Sequence, residues 1–267
     1  MKKRILVITP RFPFAARGAC EQDRTEGVKQ LVRLGYEVMV ITKAVKKDIP
    51  QVEAAEKACQ AQIVPVLYRN EQDLSVKKRF LLLLRHFFFP LLWDGSAFEY
   101  TDRLIKNEVK KALDNFVPDF VFFDYTYLWP LCGLIRRRKI PIITRSINFE
   151  PMHFLEEDGM SFINIVKFFP KLLSELITIY KSDFLFSITP KEERIYRQLG
   201  ARHIVNLPLR ALPTLLKESH PIRSGEPLHV FFMGSSYSVS HNLAALKFLV
   251  ESIVPVVNKL APNKFIF

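Results

Sequence analysis

The first forty-two residues constrain the fold more than any other stretch. Arg4 to Thr9 (RILVIT) is a short apolar run with β-branched members, stopped by Pro10 and Pro13, and its length predicts a buried strand. A loop containing Gly18 follows. Val28, Leu31, Val32 and Leu34 then recur at helical spacing, and Gly35 stands where a helix ends. Glu37 to Thr42 (EVMVIT) is a second buried run. Two strands joined through a helix in so few residues must be parallel, because the crossover returns the chain to the same end of the sheet.

The alternation recurs. Gln62 to Tyr68 predicts a third strand that Pro65 confines to an edge or a bend. Asp119 to Phe123 and Ile140 to Thr144 flank a predicted helix from about Tyr127 to Arg137. Asp183 to Thr189 precedes a helix starting near Pro190, and His203 to Leu207 is a further short strand. The expected fold is α/β, a doubly wound parallel sheet of Rossmann-like type, with ligands at the carboxyl ends of the strands. Residues 1–207 form this domain, and 208–227, rich in proline and without periodicity, read as a linker. At 228–267 the alternation restarts: Leu228 to Met233 as a strand, Asn242 to Leu260 as an amphipathic helix, Lys264 to Phe267 as the opening of another strand. Such a stub cannot bury both faces of its sheet, so a truncated second Rossmann-like domain is expected.

Composition excludes disorder, collagen and coiled coil: 49% of residues are hydrophobic and 25% charged. Cys20, Cys59 and Cys132 share no short spacing, so neither a disulfide framework nor a zinc site is indicated. They read as small core residues in a reducing compartment. Met1-Lys-Lys-Arg leads into no secretory signal, and a cytoplasmic location is expected.

The net charge of +12 names a partner only through its placement. Arg136 to Lys139 sits between a helix and a strand, without interleaved aromatics, and reads as a solvated face rather than a nucleic-acid site. Val76 to Trp93 joins Lys77, Lys78, Arg79 and Arg85 to a dense Leu/Phe run with no acidic residue. Two readings stand for it. It lies in an anionic membrane interface, or it is a buried helix whose cations snorkel to water. Phe162 to Tyr180 is similarly apolar and is expected to pack in the core.

Three stretches resemble a known family. Leu34-Gly35-Tyr36-Glu37-Val38 before the second strand resembles the L-G-H-E-V of GT-B-fold glycosyltransferases, the large family four (glycosyltransferase group 1) in particular. Thr144-Arg145-Ser146-Ile147-Asn148-Phe149-Glu150 resembles the R-x-H-N-x-E segment of some of these enzymes. Phe232-Met233-Gly234-Ser235, with Asn242, Ala245, Phe248 and Pro255, resembles the opening of their donor domain.

The resemblance implies a retaining glycosyltransferase that moves a sugar from a nucleotide-sugar to a saccharide or lipid-linked acceptor, with no metal and no cofactor. It sits in the cytoplasm, peripheral on the inner face of the membrane, in polysaccharide biosynthesis. Arg17 and Gly18 would approach the reacting phosphate and acceptor, and Arg145, Asn148 and Glu150 would shape the acceptor side. Gly234 and Ser235 would offer donors to the diphosphate, where backbone N–H groups stabilise developing charge. Asp124, at a strand's carboxyl end, lines the site or caps a helix, and Tyr125 and Tyr127 stack on a sugar. No general base is assigned.

Two departures stand out. Ile147 occupies the family's histidine position, which His153 would fill only if the loop folds back, and the family's basic residue and acidic pair of the donor domain would fall beyond Phe267. The chain alone is therefore expected to be an inactive fragment. Two alternatives remain: a nucleotide-sugar epimerase of the same fold, and a non-catalytic membrane-surface binding protein.

Overall fold

The computed structural model describes residues 2–15, 18–68, 75, 80–81, 84, 95–210, 227–232 and 240–267. The chain divides into two compact units, Met1–Leu212 and Pro213–Phe267.

In the first unit the apolar runs become strands of one parallel sheet: β1 (Arg4–Thr9), β2 (Glu37–Ala44), β3 (Gln62–Leu67), β4 (Phe120–Phe123), β5 (Ile142–Arg145), β6 (Phe184–Ser187) and β7 (Ile204–Asn206). Their order is β3-β2-β1-β4-β5-β6-β7, and every pairing is parallel. Pro65 is accommodated because β3 is an edge strand. The order reverses between β1 and β4, which opens a crevice at the carboxyl edge of the sheet.

Alternate residues of each strand meet different layers, as a sheet covered on both faces requires. Ile5 and Val7 pack with Val28 of α1 (Ala19–Arg33) and with Ala55 and Cys59 of α2 (Val52–Cys59). Leu6 and Ile8 pack on the other face. There they meet Ile105, Val109 and Leu113 of α4 (Arg103–Asn115), a helix that follows the short α3 (Gly95–Glu99). A third cluster joins Phe149, Ile179, Leu185, Tyr196 and Ile204 at the β6–β7 side. Gly35 ends α1 with a φ of +90°, a left-handed conformation that a Cβ disfavours.

Several elements depart from the sequence pattern. The expected helix from Tyr127 to Arg137 is a 3₁₀ segment, Thr126–Leu131, followed by the short α5 (Cys132–Arg136). Pro130 supplies no N–H and restrains Trp129 before it, so the first turns cannot form a regular α-helix. After α6 (Glu150–Asp158), helix α7 (Phe162–Lys181) spans the segment expected in the core; Ile179 does join the third cluster, yet much of its apolar surface stays outside: Phe162 is 80% exposed, Phe169 63% and Tyr180 77%. Its inward residues include Ser174, Glu175 and Thr178. Helix α8 (Pro190–Gln198) begins where Pro190 predicted, capped by the Thr189 side chain. Cys59 and Cys132 are buried, but Cys20 is exposed on the first turn of α1 rather than part of the core.

The second unit pairs β8 (Leu228–His229) in parallel with β9 (Phe265–Ile266). The helix expected over Asn242 to Leu260 is interrupted: α9 (Ser240–Phe248) and α10 (Val254–Leu260) are separated by a π-turn at Leu249–Ile253. Pro255 cannot donate to the carbonyl four residues back, which favours the wider turn just before it. Among the described residues no helix is long and apolar enough to cross a membrane.

Candidate functional site

The carboxyl edge of the sheet at the β1–β4 reversal is built from charged side chains in an apolar surround. Strand β4 ends against β1 through a 2.9 Å bond from the Asp124 N–H to the Ile8 carbonyl, which fixes Asp124 at the crevice. Arg145 is the last residue of β5 and is fully buried. Asp23 and Arg24, on the buried side of α1, reach the same place, as does Arg210 from the segment after β7.

Asp124 is clamped by three guanidiniums: Arg210 at 3.4 Å, Arg145 at 3.5 Å and Arg24 at 3.7 Å. Asp23 pairs with Arg145, accepts the Arg210 backbone N–H, and meets the Arg210 guanidinium at 3.0 Å. A methyl group at Gly27 would overlap the Arg210 guanidinium, so the arginine crosses α1 where a side chain is missing. Burial alone would raise the Asp23 carboxyl. Arg210 and then Arg145 outweigh it and hold the group below the usual carboxylate range. Burial, and then Arg210, lower Arg145, with Asp124 and Asp23 opposing. The guanidiniums nevertheless stay protonated at physiological pH. With ionised Asp23 they present fixed charge, suited to binding and stabilising an anion rather than to moving a proton.

A second layer holds the loops that carry this cluster. The Tyr125 and Tyr127 hydroxyls both donate to Glu150, and the Lys171 ammonium donates to the Tyr127 hydroxyl at 3.0 Å. Burial, then Glu150, push the Tyr125 phenol well above its ordinary value. The Tyr196 hydroxyl donates to Glu175 at 2.8 Å and lies 2.8 Å from the Ser146 hydroxyl. Ser146 donates to the Asn148 carbonyl at 2.9 Å, and Thr126 donates to the other oxygen of Glu175 at 2.8 Å. The Phe149 N–H donates to Glu192 at 3.0 Å. Each of the two loops, 124–127 and 145–150, is thus tied down by carboxylates on helices packed beside it.

Of the residues expected from sequence, Asp124 and Arg145 meet directly, and Glu150 joins them through Tyr125. Asn148 is half-buried in the same loop. Asp124 is not a helix cap; Tyr125 occupies the cap position of the following 3₁₀ segment, and the carboxylate is ion-paired instead. Tyr125 and Tyr127 hold Glu150 through their hydroxyls. Gly18 is the N-cap residue of α1 with extended backbone (φ −162°, ψ 175°), a conformation open to any residue. Ile147 is buried, and His153 lies on α6. Arg17, Lys77, Lys78, Arg79, Arg85, Gly234 and Ser235 lie outside the described residues.

Sequence reasoning assigned no site role to Asp23, Arg24, Glu175, Glu192, Tyr196 or Arg210. The signal available was small: an Asp-Arg pair in the second turn of a helix, and a single arginine in a segment that reads as linker. Among the described residues no group of three or more His, Cys, Asp or Glu side chains is placed to hold a metal ion.

No protein-family model matches this chain, and no curated protein matches it. Solved structures do. TcCGT1 in complex with UDP is 11% identical over 83% of this chain and 54% of its own, with a TM-score of 0.51. Arabidopsis thaliana UGT89C1 complexed with UDP-L-rhamnose is 15% identical over 94% and 63%, with a TM-score of 0.49. UDP-GlcNAc 2-epimerase from Neisseria meningitidis, bound to UDP-GlcNAc, is 10% identical over 76% and 45%, with a TM-score of 0.44. Of these three the first alone passes 0.5, and at such identity the likeness is one of fold. In each case the chain spans less than two thirds of the matched protein's length.

Proposed function

We propose that the protein is a nucleotide-sugar glycosyltransferase whose first unit carries the acceptor side of the site. One observation carries the reading: the R-S-I-N-F-E segment, the most site-like of the family resemblances in this unit, falls at the carboxyl edge of the sheet and is joined there to Asp124. The likeness of fold to UDP-bound TcCGT1 supports it. Glu150 and Asn148 line the acceptor side. Arg145, held by Asp23 and Asp124, shapes the acceptor side with them. Arg17 and Gly18 stand toward the reacting phosphate, and Gly234 and Ser235 contact the donor diphosphate. The transfer retains anomeric configuration with no metal and no cofactor, and the acceptor is a saccharide or lipid-linked. Lys77, Lys78, Arg79 and Arg85 meet an anionic membrane surface on the cytoplasmic side; changing the first three to Glu should weaken liposome binding, and unchanged binding would end that part.

The test is transfer of label from a panel of nucleotide-sugars to saccharide and lipid-linked acceptors, beside a search for epimerised donor. Transfer that is lost in Asp124→Asn is the expected result. Epimer formed without acceptor would overturn the reading in favour of an epimerase.

A further inference from the structure

The five charged side chains at the β1–β4 reversal do not balance. Among the described residues three guanidiniums face two carboxylates, which leaves one positive charge out of water. Arg145 is fully buried, and the Arg24 and Arg210 side chains retain 5% and 8% of their exposure. Their donors are not all used: Nε and Nη2 of Arg145, Nε of Arg24 and Nε of Arg210 are buried without a hydrogen-bond partner. Buried donors are nearly always paired, and a buried charge needs a counter-charge as well as hydrogen bonds. Water would satisfy the N–H groups but leave the charge. Glu150, a further carboxylate of the site, is taken up by the two tyrosine hydroxyls, and the Arg24 guanidinium lies 5.7 Å over the Tyr125 ring.

We propose that Arg24, Arg145 and Arg210 form a seat for one oxyanion, a phosphate or a carboxylate, at the carboxyl edge of β4 and β5. Arg145 is its floor, and Arg24 and Arg210 hold the little exposure through which it is reached. Planar guanidiniums suit such a group because their paired N–H bonds match two oxygens at once. Asp23 and Asp124 hold the arginines together while the seat is empty. Assigning that anion to the acceptor, as a phosphorylated or acidic saccharide, rests on the glycosyltransferase reading; the binding itself does not.

The experiment titrates the 267-residue chain with inorganic phosphate, pyrophosphate and acetate at constant ionic strength, reading calorimetric heat and the thermal midpoint. A saturable one-site response above that of chloride is expected, and a preference for phosphate or for acetate tells which class of acceptor the seat takes. Arg24→Gln should weaken binding about ten- to hundredfold, the factor a charge-assisted hydrogen bond carries. Asp23→Asn keeps the shape and removes a competing negative charge. It should bind the preferred anion more tightly and regain thermal midpoint on adding it, a rescue that a merely structural ion-pair cluster would not give. No response to any of the three anions overturns the proposal, as does a response of equal affinity in Arg24→Gln and wild type. Sugar transfer is read separately, so either idea can fail alone.

Discussion

Helix α4 turns Ile105, Val109, Ala112 and Leu113 into the core, whereas α7 turns Ser174, Glu175 and Thr178 inward and leaves Phe162, Phe169 and Tyr180 outside. Both belong to the first unit, and both show helical periodicity. In α4 the buried stripe joins the hydrophobic cluster over β1 and β4, the ordinary way a helix is held to a sheet. In α7 the buried stripe is mixed: Ile179 joins the third cluster, while Ser174, Glu175 and Thr178 are buried among polar partners. Glu175 bonds Tyr196 and Thr126, and Thr178 bonds the Thr126 carbonyl at 2.9 Å. Those partners anchor the two loops of the candidate site. A helix that turns polar side chains inward is thus found beside the two loops of the candidate site.

The comparison can be broken at several points. Glu175→Leu should cost the most, about 4 kcal/mol, since it removes two buried hydrogen bonds to a carboxylate, at roughly 1.5–3 kcal/mol each, and leaves their loops untied. Chemical denaturation measures it, and a loss below 1 kcal/mol would show that the α7 network carries little. Ile105→Ala in α4 should cost about 3 kcal/mol, the usual range for a large-to-small change in a packed core. Its effect should stay in stability, whereas Glu175→Leu should also impair ligand binding.

Tyr196→Phe comes next, at about 1–2 kcal/mol. Burial, then Glu175, hold the Tyr196 phenol well above its ordinary value, so the unfolded chain ionises first. Stability is full below about pH 10 and falls as pH rises beyond it. The variant should flatten that alkaline limb, and denaturation midpoints between pH 8 and 11, roughly spanning the free phenol value, check it. Smallest is Phe169→Ser on the outward face of α7, within about 0.5 kcal/mol. A loss of several kcal/mol would mean that this face is covered in solution.

The sheet was legible because each strand is a local apolar run, and Pro65 marked the edge strand by its missing donor. The R-S-I-N-F-E segment and Asp124 were legible from motif and from strand ends. Their partners were not. Asp23 pairs with Arg145 across 122 residues and with Arg210 across 187, and a charged pair in a helix turn reads locally as solvent-facing. The orientation of α7 was hidden for a related reason. A helix rich in apolar residues shows which of them dislike water, but not that Glu175 has a buried tyrosine to meet.

Ligand binding at the carboxyl edge is tested most directly by amide hydrogen exchange of the chain with and without nucleotide-sugars and pyrophosphate. Protection of residues 122–127 and 145–150, with 116–120 and 136–141 at the opposite edge unchanged, is the predicted result. Protection confined to that opposite edge, or none at saturating ligand, would contradict it.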